Sequence, residues 1–70
     1  MFWWFERGGR YLRCEARQIA TGQYELRIVN PDGSEQVEHF AESGDLTKRQ
    51  HDVLDAVTRA GWNGPHGWVL

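Results

Sequence analysis

The sequence has almost nothing with which to reinforce a small fold covalently or through a metal ion. It contains one cysteine, Cys14, among 70 residues, so an internal disulfide is excluded. The other soft metal ligands are His39, His51 and His66, and no C-x-x-C or H-x-x-x-H spacing joins them. We therefore expect no disulfide, no metal and no cofactor, and a stability that depends on the apolar core and on association.

Long apolar runs and targeting patterns are lacking as well. The apolar run at residues 1–5 is far shorter than the roughly 20 residues that span a bilayer. No basic region followed by a long apolar stretch marks a signal peptide. A single cysteine suits a reducing compartment. The sequence therefore predicts a cytoplasmic protein without a membrane span.

The clustered groups that catalysis needs are also missing. Nucleophilic catalysis requires a nucleophile, a base and an orienting group side by side, and Cys14 is predicted under the helix, away from the histidines. His51 and Asp55 lie four residues apart, a spacing that is common on solvated helix faces. The glycine pair at positions 8–9 lacks the Lys-Ser/Thr ending of a phosphate-binding loop. We expect no enzymatic activity and assign no catalytic residue.

A strong excess of one charge is absent too, because the formal net charge is −2. The charge is nevertheless unevenly distributed along the chain. Residues 1–29 carry five arginines against three glutamates, whereas residues 30–70 carry three cations against seven carboxylates. The mildly acidic total disfavours a dedicated polyanion binder, although the first segment tolerates an anion.

What the sequence does contain is a series of turn signals between short strands. The pair Gly8-Gly9 is typical of a two-residue hairpin turn, because both glycines tolerate a positive φ. Residues 20–22, Ala-Thr-Gly, predict a three-residue hairpin loop. Residues 30–33, Asn-Pro-Asp-Gly, predict a tight turn with proline second and glycine last. These signals predict four strands, at about residues 2–7, 10–19, 23–30 and 34–40.

One helix follows the strands. Thr47 and Gln50 have the spacing of a capping box at a helix start. Val53 and Val57 then recur at helical spacing among polar residues. These features predict a helix over about residues 48–60.

The end of the chain is predicted to be irregular. Residues 61–70 contain three glycines and a proline, so we expect a tail that folds back to close one end of the core. Residues 1–70 as a whole are expected to form a single small domain. Its predicted fold class is α+β, a four-stranded antiparallel meander (β-β-β-β-α) with one C-terminal helix packed on one face of the sheet.

The helix region resembles part of a known DNA-binding pattern. Residues 45–54, Asp-Leu-Thr-Lys-Arg-Gln-His-Asp-Val-Leu, are similar to the first-helix opening of some bacterial helix-turn-helix regulators. That family places a recognition helix next. Here the following residues, Gly-Trp-Asn-Gly-Pro at 61–65, break up the chain, so we expect no helix-turn-helix unit.

The alternation of side chains along a strand divides the aromatic N-terminus between the two faces of the sheet. The turn at residues 8–9 sets Trp3 and Phe5 on a face that is apolar throughout, which we take as the core face. Phe2 and Trp4 then fall on the opposite, outer face. Only the outer pair requires a functional explanation.

The same register makes predictions for polar side chains. In the second hairpin it sets Arg17 opposite Glu25 and Glu15 opposite Arg27, two complementary outer-face pairs. In the fourth strand it turns residues 36 and 38, Gln and Glu, toward the core face. Inward polar side chains fit an edge strand beyond the cover of the helix, or a bulge.

The predicted outer face interleaves aromatic, aliphatic and arginine side chains. Such a mixture is typical of a protein-protein contact. We therefore predict a non-enzymatic module that forms a homodimer, or binds another protein, through Phe2, Trp4, Tyr11, Arg13, Val29 and Val37. A monomer whose outer rings lie flat over neighbouring side chains is the plainer alternative.

A single-stranded nucleic-acid binder that uses the same face is the second alternative. Aromatic rings stack unpaired bases while arginines hold phosphates, and the contacts here would be Trp4, Arg10, Tyr11 and Arg13. The order of meander and helix is similar to that of the single-stranded-DNA-binding coactivator and whirly families, whose sheets hold nucleic acid. Pairing of nearby arginines with glutamates weakens phosphate binding and puts this alternative second.

Overall fold

The computed structural model describes residues 1–69, with side chains through residue 67. Within this range there are five strands and one helix: β1 Phe2–Arg7, β2 Arg10–Ala20, β3 Gln23–Val29, β4 Glu35–Phe40, α1 Ser43–Arg59 and β5 Asn63–Val69. The strands form one antiparallel sheet in the order β4-β3-β2-β1-β5, and α1 packs on one face. The predicted α+β meander with one helix is confirmed, and a fifth strand is added to it.

The first two hairpins have nearly the predicted register. Phe5 lies opposite Leu12 across the turn, in which Gly8 and Gly9 have φ values of 57° and 79°. Arg17 lies opposite Glu25 in the second hairpin. Its loop is shorter than predicted, because β2 continues to residue 20, which pairs with residue 23 after a register shift. The shift absorbs one residue of the expected three-residue loop.

The turn between β3 and β4 fixes the position of the fourth strand. The Gly33 N–H donates to the Asn30 carbonyl at 2.9 Å, and the Asn30 N–H donates to the Ser34 carbonyl at 2.8 Å. The Asp32 carboxylate accepts from the Ser34 N–H and hydroxyl at 2.9 and 2.7 Å, and these bonds lower the pKa of Asp32. From this turn β4 pairs with β3 without a register shift.

The core lies between the sheet and α1. Its buried side chains from the sheet are Trp3, Phe5, Leu12, Cys14, Ala16, Leu26 and Ile28, and those from the helix are Leu46 and Val53. Gln50 is buried with them, and its amide nitrogen has no hydrogen-bond partner among the described residues. The buried core between sheet and helix is therefore apolar apart from the Gln50 amide, as the alternation of the strands predicts.

The helix begins earlier than the sequence predicts. It starts at Ser43, with Glu42 as an N-cap residue that makes no side-chain capping bond. Thr47 is therefore inside the helix, where its hydroxyl donates to the Ser43 carbonyl at 3.0 Å, and the predicted capping box is wrong. The buried Leu46 explains the earlier start, because it anchors one more helical turn to the core.

The prediction of an irregular tail is also wrong, because residues 63–69 form β5 and pair with β1. Gly64 and Gly67 both have positive φ, of 140° and 66°. A Cβ at Gly64 would lie 2.9 Å from the Phe5 ring, and one at Gly67 would clash with the Trp4 indole. Glycine is needed in β5 so that its backbone can approach these rings. Residue 70 of the predicted tail lies outside the described residues.

Two further expectations concern a helix-turn-helix unit and a membrane span. The residues after α1 form a strand, so the described chain holds no recognition helix of a helix-turn-helix unit. No helix in residues 1–69 has the length and apolar character that crossing a membrane requires.

Candidate functional site

The outer face is the side of the sheet opposite α1, and the register brings the predicted interaction residues together on it. One row across the strands joins Trp4, Arg13 and Val29. The next row joins Phe2 and Val37 through Glu15 and Arg27. Tyr11 lies beside these rows, opposite Glu6. All six predicted residues therefore share one surface.

Three large apolar side chains on this face are open to solvent. Phe2 is 44% exposed, Tyr11 is 53% exposed and Val37 is 43% exposed. Val29 is half-buried between its neighbours. No helix or strand of the described chain covers them, because α1 lies on the inner face. The outer face thus presents an apolar surface interrupted by charged side chains.

Trp4 is less available than its neighbours. Its indole lies over Gly67 of β5, and its ring centroid is 5.9 Å from those of Phe2 and His66. The side chain is half-buried as a result. Sequence reasoning missed His66 and Gly67 because it left β5 as an irregular tail. Trp4 therefore joins β5 to the sheet, in addition to forming part of the outer face.

Glu25 is the centre of an ion-pair network on the outer face. Its side chain is only 8% exposed, and Arg17 Nε donates to its Oε2 at 2.9 Å. Arg27 Nη2 and His39 Nε2 lie 3.6 and 3.4 Å from its Oε1. The hydrogen bond from Arg17 lowers the pKa of Glu25, and the charges of Arg17 and Arg27 and the His39 bond add to this effect. The carboxylate is therefore held in its ionised form.

The predicted pairing of Glu15 with Arg27 requires a correction. The two residues are opposite in the register, but the ion pairs run along the strands and, between Arg27 and Glu35, diagonally from β3 to β4. Arg27 reaches Glu25 and, through Nη1, Glu35 at 3.3 Å, while Glu15 lies 3.8 Å from Arg17. Long arginine side chains can reach diagonal neighbours. Arg17 and Arg27 are both neutralised, as expected, but mainly by glutamates of β3 and β4 rather than by Glu15 of β2.

The other three arginines of the first segment differ in their surroundings. Arg7 Nη1 donates to the Ala60 carbonyl at 2.7 Å and so satisfies the C-terminal end of α1. The side chains of Arg10 and Arg13 make no hydrogen bond or close ion pair with any described residue, although the charge of Arg10 contributes to the lowered pKa of Asp32. With Tyr11 they line a shallow groove of about 400 Å³ beside the turn at residues 30–33. This groove is the cationic part of the outer face.

In the part of the chain that the structure describes, the cysteine and the histidines lie apart from one another. Cys14 lies in the core, where burial raises the pKa of its thiol to about 12. His39 faces Glu25, His66 faces Trp4 and His51 is exposed on α1. Among the described residues no three His, Cys, Asp or Glu side chains are placed to hold a metal ion. The outer face presents aromatic rings, aliphatic groups and arginines.

Comparisons with known proteins give no relative from which a function could be transferred. No family model matches the chain, and no curated protein or solved structure matches it either. A fold alone does not identify a function. The function is therefore argued from the geometry of the outer face.

Proposed function

We propose that this protein is a cytoplasmic, non-enzymatic interaction module that binds another protein chain through its outer face. The observation that carries the proposal is the exposure of Phe2, Tyr11 and Val37 on a sheet face that no described element covers. Burying three such side chains against a partner removes apolar surface from water, at about 25 cal/mol per Å². Aromatic residues are enriched as anchors in such contacts.

The charges of this face favour a protein over a polyanion. Arg17 and Arg27 form ion pairs with Glu25 and Glu35, and these carboxylates weaken the attraction of both arginines for a phosphate. A surface in which charges are paired among themselves and rings remain open matches the composition of protein interfaces. The occupant is either a second copy of the chain or a different protein.

The test compares Tyr11→Ser with a matched control, Ile19→Ser. Both residues are exposed apolar side chains of β2, but Ile19 lies at the far end of the sheet, beside Tyr24 and Phe40. Sedimentation velocity at micromolar concentration measures self-association. A photo-crosslinking amino acid placed at position 11 or at position 19 in cells detects a different protein.

We expect Tyr11→Ser to weaken association, or position 11 to give a discrete crosslinked adduct, while position 19 has neither effect. Equal results at positions 11 and 19, or a monomer without a discrete adduct, would contradict the proposal. Trp4 is unsuitable for this test, because it also holds β5 in place.

Single-stranded nucleic acid is a second candidate ligand, favoured by one specific observation. The side chains of Arg10 and Arg13 make no hydrogen bond or close ion pair within the described residues, and both residues line a groove with the exposed Tyr11. Two free cations next to a ring can hold a phosphate while a base stacks. The acidic total charge and the small number of free arginines make this candidate weaker than the first.

Titration of a labelled single-stranded oligonucleotide at low and moderate salt tests this candidate. Binding through Arg10 and Arg13 should weaken as salt rises and should be lost in the double variant Arg10→Gln, Arg13→Gln. The control is Arg59→Gln, which removes an exposed charge from the last turn of α1. Binding that is absent, insensitive to salt or equally reduced by the control excludes this function.

A further inference from the structure

Strand β4 forms one edge of the sheet, and no strand of the described chain pairs with its outer side. Its six residues pair with β3 in one continuous register. The opposite edge, β5, contains Gly64, Pro65 and Gly67 and pairs with β1 through register shifts. Proteins block sheet edges with proline and with bulges, among other devices. By these criteria β5 is blocked and β4 is open.

The hairpin turn shows which backbone groups of β4 face outward. The Asn30 N–H donates to the Ser34 carbonyl, so that carbonyl points toward β3. The direction alternates along a strand, so residues 36, 38 and 40 also bond to β3. The N–H and C=O groups of Glu35, Val37 and His39 therefore point away from the sheet. All three residues are exposed.

The side chains of these three residues are complementary to themselves in reverse order. When an antiparallel copy of β4 is placed with Val37 opposite Val37, Glu35 lies opposite the second copy's His39, and the reverse pair lies across the axis. A carboxylate then faces an imidazole twice, and the two valines meet between them. On the inner face the same register sets Gln36 opposite the second copy's Glu38. The Gln36 amide can then donate a hydrogen bond to the Glu38 carboxylate.

Neighbouring registers lack this match. A shift of two residues in one direction sets the two Glu38 side chains opposite each other, which is unfavourable for like charges. A shift in the other direction places His39 against Gly33 of the turn and separates it from Glu35. The register centred on Val37 also satisfies the outward backbone groups of all three residues, with about six main-chain hydrogen bonds.

We propose that a second copy of this chain binds along the open edge of β4, antiparallel, about a twofold axis at Val37. The two five-stranded sheets then form one continuous sheet, with a helix from each copy on the same side. The outer faces remain uncovered and lie side by side. Edge pairing uses the backbone of β4, whereas the proposed function uses outer-face side chains; Val37 belongs to both contacts, and crosslinking at position 11 tells them apart.

Cysteine crosslinking of the full chain tests this register. The Cα atoms of an antiparallel hydrogen-bonded pair are about 5.5 Å apart, within the range that a disulfide bridges. Under mild oxidation Val37→Cys should give a covalent dimer on a non-reducing gel. The native Cys14 does not compete, because it is buried and its thiol pKa is about 12.

Matched variants make the result specific. Two Glu35→Cys chains should not crosslink, because in this register their Cα atoms lie roughly 14 Å apart, four residues along the strand. A mixture of Glu35→Cys and His39→Cys chains should crosslink. Without oxidation, Val37→Lys should raise the dimer dissociation constant about fivefold or more, since it places like charges opposite each other. Ile19→Lys should leave it unchanged.

The opposite results are equally clear. Crosslinking of Val37→Cys no faster than that of Glu35→Cys, or a wild-type chain that stays monomeric at high micromolar concentration, overturns the proposal. Crosslinking at Tyr11→Cys instead of Val37→Cys also overturns it, because that result indicates copies stacked through their outer faces. In that case the proposed function holds and edge pairing does not.

Discussion

At the scale of single residues, Gly67 determines how much of the aromatic N-terminus is free to bind. Its positive φ and missing side chain let the Trp4 indole lie against the backbone of β5. The Trp4 side chain therefore packs within the fold, whereas Phe2 and Tyr11 are exposed to solvent. The free aromatic surface consequently lies to either side of Trp4 rather than on it.

Substitution at Gly67 separates backbone strain from the loss of this packing. Gly67→Ala introduces a Cβ at a φ of 66° and into the Trp4 indole. Gly9→Ala is the matched control, because its φ is 79° and a Cβ there meets nothing within 4 Å. We expect Gly9→Ala to cost about 1–2 kcal/mol of unfolding free energy and Gly67→Ala to cost about 1–3 kcal/mol more. Urea denaturation measures both; equal losses would show that Trp4 does not pack on Gly67.

Glu25 gives the molecule a defined response to acid. Its pKa is lower in the folded chain than in the unfolded chain, so the folded state binds fewer protons. The resulting stability is present above the unfolded pKa of about 4.3 and is lost as pH falls through the folded pKa. Glu25→Gln should therefore be less stable than wild type at pH 7, and the difference should shrink at pH 3.

Urea unfolding at the two pH values provides the measurement. The control is Asp55→Asn, which neutralises an exposed carboxylate of α1 outside the network. Its effect should be small at both pH values. A Glu25→Gln deficit that is the same at pH 3 and pH 7 would show that the network does not depend on the charge of Glu25.

At the scale of elements, β4 is attached to α1 by an ion pair. Glu38 points inward, and its two oxygens accept from Arg49 Nε and Nη2 at 2.8 and 3.1 Å. This explains how an edge strand tolerates a carboxylate on the core face. The expectation of an edge strand is confirmed, and no bulge is needed between β3 and β4.

Removal of Arg49 should loosen this attachment. Because both side chains remain partly exposed, solvent screens the pair, and we expect Arg49→Met to lose about 0.5–1 kcal/mol of unfolding free energy. Arg59→Met, an exposed substitution in the last turn of the same helix, should change stability by less than about 0.5 kcal/mol. Hydrogen exchange should also increase in β4 for Arg49→Met alone. Unchanged exchange there would show that the strand is held by β3 only.

The elements that the sequence predicts well are those set by local chemistry. Turn residues such as Gly8, Gly9 and Pro31 determine the hairpins, and alternation then assigns each strand residue to a face. The strand β5 was not predicted, because it is stabilised by contacts with Trp4 and Phe5, which are distant from it in the sequence. Glycine and proline have low strand propensity, so the local sequence of β5 predicts a loop.

For the candidate site, too, the sequence predicts which residues share a face but not the contacts that their side chains make. The register placed the six outer-face residues correctly, because it depends on turns and alternation alone. The ion pairs of Arg27 with Glu25 and Glu35 depend on side-chain conformations, and the packing of Trp4 depends on β5. Neither can be read from strand spacing.

At the scale of the whole molecule, the two edges of the sheet differ in a way that limits assembly. The regular β4 edge can pair with an identical edge about a twofold axis, and such a contact closes on itself. The β5 edge carries Pro65 and the irregular pairing of Gly64 and Gly67. A second, head-to-tail contact between sheets would need this edge and would lead to filaments.

Assembly through the sheet edges should therefore stop at two copies. Sedimentation equilibrium across a wide range of concentration should fit a monomer–dimer model, without larger species. Val37→Pro removes an outward N–H of β4, so it should yield monomer while the pairing with β3 persists. Growth beyond two copies at high concentration would mean either that β5 also pairs or that the outer faces bind further copies, since closed pairing through β4 leaves each copy no other open edge in the described sheet. The asymmetry of the two edges thus predicts a dimer whose outer faces stay available to a further partner.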